Sequence, residues 1–242
     1  LLRPGGEVTR SDSENQFSYA RAVKINRKDA GKNLLKYIDI FVNRPLAALI
    51  VRAVYHTRIT PNQITCFSGF IGLTAAFLFY LGKPEYFLMG GILAQLSSII
   101  DGADGMLARA KNLGSTYGAM LDLFFDRIVD VSTAIGIGIG AAKYYNDPEY
   151  AYLGLLCGTL LLFQINTFYL NRTLQKKEKT GETGEMRAVQ IWGICLLSIF
   201  NRLDLLIYTA LVFTVVVNIV HAFHFFRLGW KEKTDQSETG QH

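Results

Sequence analysis

From residue 64 onward the chain alternates long apolar runs with short polar connections. Residues 64–81, ITCFSGFIGLTAAFLFYL, carry no charge and are long enough to cross a bilayer as one helix. GKPEY makes a short turn. The next apolar run, residues 86–100, is too short alone, so its helix must continue into the acidic stretch that follows. A break near KNLGS precedes a third helix, from about Thr116 to Ala142, and KYYNDPEY is another polar connection. Residues 151–170 read as a fourth span, residues 188–200 as a short fifth and residues 205–226 as a sixth. The charged loop NRTLQKKEKTGETGEMR separates the fourth from the fifth. The pattern predicts an all-α integral membrane protein with six transmembrane helices, occupying residues 61–228.

Upstream the pattern changes. Over residues 33–60, apolar positions such as Leu34, Leu35, Ile38, Phe41, Leu46, Leu49 and Ile50 recur near helical spacing, with Lys36, Arg44, Arg52 and Arg58 interspersed. This is an amphipathic, basic juxtamembrane helix, suited to lying along an anionic membrane surface. Residues 1–32 are polar without a long apolar period and read as a linker or loosely ordered segment. Residues 229–242 read as a disordered tail. The non-Met start and the linker-like first residues suit an upstream soluble domain.

Composition agrees. Half of the 242 residues are hydrophobic, and they are clustered, as membrane spans require. Cys66, Cys157 and Cys195 each lie inside an apolar run, which excludes a disulfide framework or zinc site and leaves them as small hydrophobes. The net charge of +5 is unevenly distributed. Six spans put both termini on one side. Twenty-one basic residues then fall on that side, eleven of them before Pro61, against Lys83, Lys143 and Arg202 on the other. The excess places the termini, and the loops after spans two and four, in the cytoplasm. A lipid bilayer is the expected partner, and no nucleic acid.

Four aspartates occupy the cytoplasmic ends of spans two and three. Asp101 and Asp104 are three apart, Asp122 and Asp126 four apart, so each pair shares a face of its helix. The short connection makes the two helices antiparallel neighbours, and their acidic faces meet at one depth. Carboxylates packed together raise each other's pKa values, and a divalent cation removes the conflict. Their oxygens suit Mg²⁺, Mn²⁺ or Ca²⁺, and Mg²⁺ shares its shell readily with substrate phosphates. Gly105 lies one turn beyond Asp101, Ala108 one turn beyond Asp104 and Gly118 one turn before Asp122. All three face one cavity and let a bulky ligand approach the backbone. Arg109 stands at the rim, where a guanidinium can bind phosphate. Asp130 continues the Asp122–Asp126 row by one turn and is read as a structural partner of Arg127.

The pattern Asp101-x₂-Asp104-Gly105-x₂-Ala108-Arg109-x₈-Gly118-x₃-Asp122-x₃-Asp126 resembles the signature of the CDP-alcohol phosphotransferases, the CDP-alcohol phosphatidyltransferase family. LAQLSSIIDGADGMLARAK and NRPLAALIV…ITPNQIT look most like the di-myo-inositol-phosphate-phosphate synthase type within it. The resemblance implies a transferase of substituted phosphate groups. A CDP-alcohol, of the CDP-diacylglycerol or CDP-inositol type, gives its phosphoryl-alcohol unit to an acceptor hydroxyl, and CMP leaves. It implies one or two Mg²⁺ (or Mn²⁺) ions on Asp101, Asp104 and Asp122, with Asp126 as general base that also touches metal. It implies a CDP pocket of Gly105, Ala108, Arg109 and Gly118, helped by Asn62 and Thr65 and more weakly by Ser115. It also implies a homodimer.

An acceptor carrying a phosphate needs a second basic cluster. Arg172 and Arg187 flank the loop after span four on the cytoplasmic side and are the candidates. Phosphatidylinositol-phosphate synthases tend to carry Tyr-x-Lys-Ala-Arg-Ala-Glu there. This chain has FYLNRTLQKK, in which Arg172 matches but Leu170 stands at the lysine position. His221 and His224 read as packing or interfacial residues. The competing reading is a divalent-cation transporter using the aspartates as its ion site. It predicts polar residues continuing across the bilayer, whereas FLMGGILAQ and AIGIGIGAA are mostly apolar and small.

Overall fold

A computed structural model of the chain describes residues 39–174 and 182–239, and every regular element among them is helical. A π-helical turn, Asp39–Asn43, runs directly into α1, Arg44–Val54. Then follow α2, Pro61–Tyr80; α3, Pro84–Lys111; α4, Thr116–Tyr145; α5, Glu149–Leu174; α6, Glu182–Ile199; and α7, Leu203–Thr239. The expected linker, the first residues of the basic helix and residues 175–181 of the charged loop lie outside the described residues.

The boundaries follow from local chemistry. The basic helix stops at Val54 because α2 has its own start signal. Gln63 Oε1 accepts from Thr60 N at 2.9 Å while Thr60 Oγ1 accepts from Gln63 N at 3.4 Å, a reciprocal cap just ahead of Pro61. Ser115 Oγ accepts from Gly118 N at the start of α4, and Asp147 Oδ1 from Glu149 N at the start of α5. Three helices end alike, each on an asparagine in the left-handed region: Asn112, Asn146 and Asn201, with φ of 55°, 56° and 53°. In each, the amide of the next residue reaches back to a carbonyl of the last turn (Leu113 to Ala108, Asp147 to Ala142, Arg202 to Leu197). Nothing comparable interrupts WKEKTDQSET, which has neither Gly nor Pro, and α7 continues through this polar stretch to Thr239.

The chain forms two compact units. The first comprises Leu96–Phe125 and the described part of the chain up to Phe70; the second comprises Ile71–Gln95 and the chain from Asp126 onward. In the first, Asn43 at the end of the π-helical turn and Ala47 and Val51 of α1 are buried, one turn apart, and Ala47 lies beside Gly102. Ser97 Oγ donates to the Ser68 carbonyl at 2.8 Å, fixing α3 against α2. The second unit has an apolar core that includes Phe79, Phe87, Ile137, Cys157, Leu206 and Ile207. There α4 approaches α2 and α5 backbone to backbone. A Cβ on Gly138 would sit 2.6 Å from Gly154 Cα, and one on Gly140 would strike the Phe79 carbonyl oxygen. This is the small-residue packing that lets apolar helices associate closely.

Among the described residues, three helical stretches, Pro61–Tyr80, Pro84–Ala110 and Leu203–Arg227, are long and apolar enough to cross a membrane. Large apolar side chains are exposed along them, Phe67, Phe70, Phe77, Ile92 and Val212 among them. The three cysteines are free, with Cys157 buried and Cys66 exposed.

Candidate active site

The acidic stretch is the end of α3, a connection of four residues and the start of α4. Asn112 produces the reversal. Its left-handed backbone ends α3, and Ser115 restarts the helix two residues beyond Leu113. The carboxylates therefore come from two helices facing a shared loop. Asp101 and Asp122 bring oxygens within 4.8 Å of each other, both residues are partly buried, and Asp126 follows Asp122 by one turn of α4. A set of hard oxygen donors at this spacing fits a divalent cation such as Mg²⁺, Mn²⁺ or Ca²⁺.

Asp104 is placed differently. It is buried, and Thr65 Oγ1 donates to its Oδ2. Thr65 is itself 3% exposed, with its hydroxyl also near the Pro61 carbonyl. The sequence grouped four aspartates; the structure pairs Asp101 with Asp122 and ties Asp104 to α2. A hydroxyl one turn into a neighbouring helix is invisible to spacing within the motif.

Beside these carboxylates is a cavity of about 560 Å³. All seven residues proposed from the sequence for the CDP pocket line it: Asn62, Thr65, Gly105, Ala108, Arg109, Ser115 and Gly118. Asp104 and Asp122 line it as well. Two glycines explain its shape. A Cβ on Gly105 would meet the Arg109 guanidinium at 3.4 Å, so the missing side chain is where Arg109 folds back over its own helix. A Cβ on Gly118 would press on Asn62 Oδ1 at 2.9 Å and Ser115 Oγ at 3.1 Å. The lining also includes Pro61, Asn112, Leu113, Gly114 and Ala119, which the motif reading missed. The helix-ending Asn and the Gly after Leu113 were the available signal for a loop lining the site.

A family comparison decides what this arrangement belongs to. The sequence model of the CDP-alcohol phosphatidyltransferase family matches residues 58–220, which include every residue of the cavity and the carboxylate group. The chain belongs to that family. Among curated members it is 36% identical over 121 residues to the bifunctional IPC transferase and DIPP synthase of Thermococcus kodakarensis, covering 49% of this chain and 26% of that one. It is 39% identical over 121 residues to the archaetidylinositol phosphate synthase of Pyrococcus horikoshii, covering 50% and 62%. It is 31% identical over 116 residues to the phosphatidylinositol phosphate synthase of Mycobacteroides abscessus, covering 48% and 50%. The matches thus cover less than two thirds of the length of each of these relatives.

Other candidates of this family member fall away from the cavity lining. Arg127 Nη1 lies 3.3 Å from Asp130 Oδ2, so the pair expected from the sequence forms one turn beyond Asp126. Arg172 is near the end of α5 and Arg187 in the first half of α6; their side chains lie outside the described residues. His221 is half-buried on α7, and the side chain of His224 is likewise outside the described residues.

Proposed function

We propose that the chain transfers a phosphoryl-alcohol unit from a CDP-alcohol to an acceptor hydroxyl, releasing CMP. One observation carries the reading: a single cavity gathers the nucleotide-pocket residues of the motif together with Asp104 and Asp122. The reaction breaks the P–O bond to CMP and forms one from the same phosphorus to the acceptor oxygen. Asp126 accepts the acceptor's proton, a contribution of about 10²–10⁴-fold in rate. Arg109 donates to phosphate oxygens at the cavity rim. Gly105, Ala108 and Gly118 leave the backbone open to the nucleotide, with Asn62, Thr65 and Ser115 as its polar lining. Asp101, Asp104, Asp122 and Asp126 are the residues that would hold Mg²⁺ or Mn²⁺, one ion or two. Bound there, the metal supplies charge neutralisation for the pyrophosphate and the departing CMP.

The membrane reading belongs to the same proposal. Residues 61–228 form a six-span domain, with α1 as the interfacial helix of the 33–60 segment and the site on the cytoplasmic side. The basic-residue asymmetry supports this. So does a set of tyrosines near the opposite helix ends, Tyr80, Tyr86, Tyr144, Tyr145 and Tyr150, of the kind that collects at membrane interfaces. The names of the relatives support an inositol-type acceptor that carries phosphate; Arg172 and Arg187 are its proposed contacts, and a homodimer is the expected assembly.

The test is CMP release by the purified chain in lipid nanodiscs. CDP-diacylglycerol and CDP-inositol serve as donors, with inositol, inositol phosphate, glycerol phosphate and serine as acceptors. Release should require both Mg²⁺ or Mn²⁺ and an acceptor, and should stop with a chelator. No release from any pair, or release undiminished by the chelator, overturns the proposal.

A further inference from the structure

Lys111 read from the sequence as one of many cytoplasmic charges. It ends α3 one residue before Asn112, yet it does not line the cavity formed by its neighbours Arg109 and Asn112. Its ammonium reaches instead into the connection between α1 and α2. Lys111 Nζ donates to the Thr57 carbonyl and to the Ile59 carbonyl, each at 2.9 Å. These carbonyls sit in a segment whose two ends are already fixed. Thr57 bonds back to the Val54 carbonyl through both its amide, at 3.0 Å, and its hydroxyl, at 2.7 Å. Thr60 and Gln63 close the reciprocal cap that starts α2. Lys111 is fixed too, because the turn through Asn112 and Leu113 returns to the Ala108 carbonyl at 2.9 Å.

The two walls of the cavity meet at this clamp. One is the first turn of α2, which supplies Pro61, Asn62 and Thr65; the other is the end of α3, which supplies Ala108, Arg109 and Asn112. A charge-assisted pair of hydrogen bonds is about twice as strong as neutral ones and directional enough to hold a loop. We propose that Lys111 is a positioning residue for the nucleotide: it sets the distance between the two walls and does not bind phosphate itself. The inference rests on the proposed reaction only for the identity of the ligand; the clamp itself concerns the loop.

The experiment compares wild type with Lys111→Met, which has no donor, and Lys111→Arg, which keeps two. Hydrogen exchange of residues 57–63 reads the loop, and calorimetry with cytidine and with CMP reads the cavity. Exchange should quicken in Lys111→Met and return towards wild type in Lys111→Arg. Binding of both cytidine and CMP should weaken about tenfold in Lys111→Met, the ratio that loss of about 1.4 kcal/mol produces. The KM for the donor should rise with it while kcat stays within about threefold. Weakened CMP binding with cytidine unaffected would mean that Lys111 contacts phosphate directly, and would overturn the proposal. So would unchanged loop exchange in Lys111→Met. If wild type releases no CMP, the proposed reaction fails, but the exchange comparison still decides the clamp.

Discussion

Two groups of glycines, one in each compact unit, do opposite work. Around the acidic stretch of the first unit they border space or a movable side chain. Gly114 has nothing within 4 Å of where a Cβ would be, Gly102 has only the Ala47 methyl at 3.8 Å, and Gly105 has the end of the Arg109 side chain. Along α4 in the second they border backbone. Gly136 lies against the Ala76 carbonyl, Gly140 against that of Phe79, and Gly138 against Gly154. A glycine whose neighbour is a flexible side chain keeps a site open. One whose neighbour is a carbonyl closes helices together, because a backbone cannot yield. The closed stretch of α4 is the AIGIGIGAA run, and its filling by helix backbone argues against an ion path there.

The largest expected effect is chemical. Asp126→Asn removes a proton acceptor while keeping the shape of the side chain. Turnover should fall about 10²–10⁴-fold, the range for a general base. The melting temperature and CMP affinity should stay near wild type. CMP release, scanning calorimetry and CMP titration check the three, and full turnover would remove Asp126 from the role of base.

Two glycine substitutions of equal size test the comparison directly. Gly140→Leu forces a side chain onto the Phe79 carbonyl and should cost about 1–3 kcal/mol, a fall of about 2–12 °C in Tm for a chain of this size. The KM of the protein that remains folded should be unchanged. Gly105→Leu should do the reverse. It displaces the Arg109 guanidinium, a contact worth about tenfold in donor KM if one charged hydrogen bond of about 1.5 kcal/mol is lost, and Tm should hold. A matching loss of Tm in both would show that the first unit is packed as tightly as the second.

How much of this was legible in the sequence depends on whether the deciding partner was near in the chain. The breaks at GKPEY and KNLGS and the continuation of the second apolar run into the aspartates follow from hydropathy and from Gly and Asn at helix ends. Half of the cavity lining was named from the sequence, and the Arg127–Asp130 pair followed from its spacing along one helix. What escaped depended on other elements. Thr65 holds Asp104 from 39 residues away, and Lys111 reaches Thr57 across 54. Neither spacing marks a contact, and a lysine near a membrane face has an adequate explanation in charge asymmetry alone. The end of the basic helix was legible after all, in Thr60, Pro61 and Gln63, but only as a start signal for the next helix.

The smallest expected effect lies within the second unit, at the contact between α4 and the end of α2. Lys143 Nζ donates to the Tyr80 carbonyl at 2.8 Å and stands 3.5 Å from the centroid of the Tyr80 ring. The Tyr80 carbonyl belongs to the last turn of α2, where no later helical amide is available, and Gly82 turns the chain away beneath Lys143. An exposed cation–π contact is worth about 0.5–1 kcal/mol, and the hydrogen bond adds a similar amount. Lys143→Met keeps the aliphatic stem over the ring and removes only the charge and the donor. Tm should fall by about 2–8 °C, with less of the loss seen at high salt, and kcat and KM should both remain at wild-type values. A change in KM here would mean that the closed region communicates with the open one, and the division of labour between the glycines would then have to be redrawn.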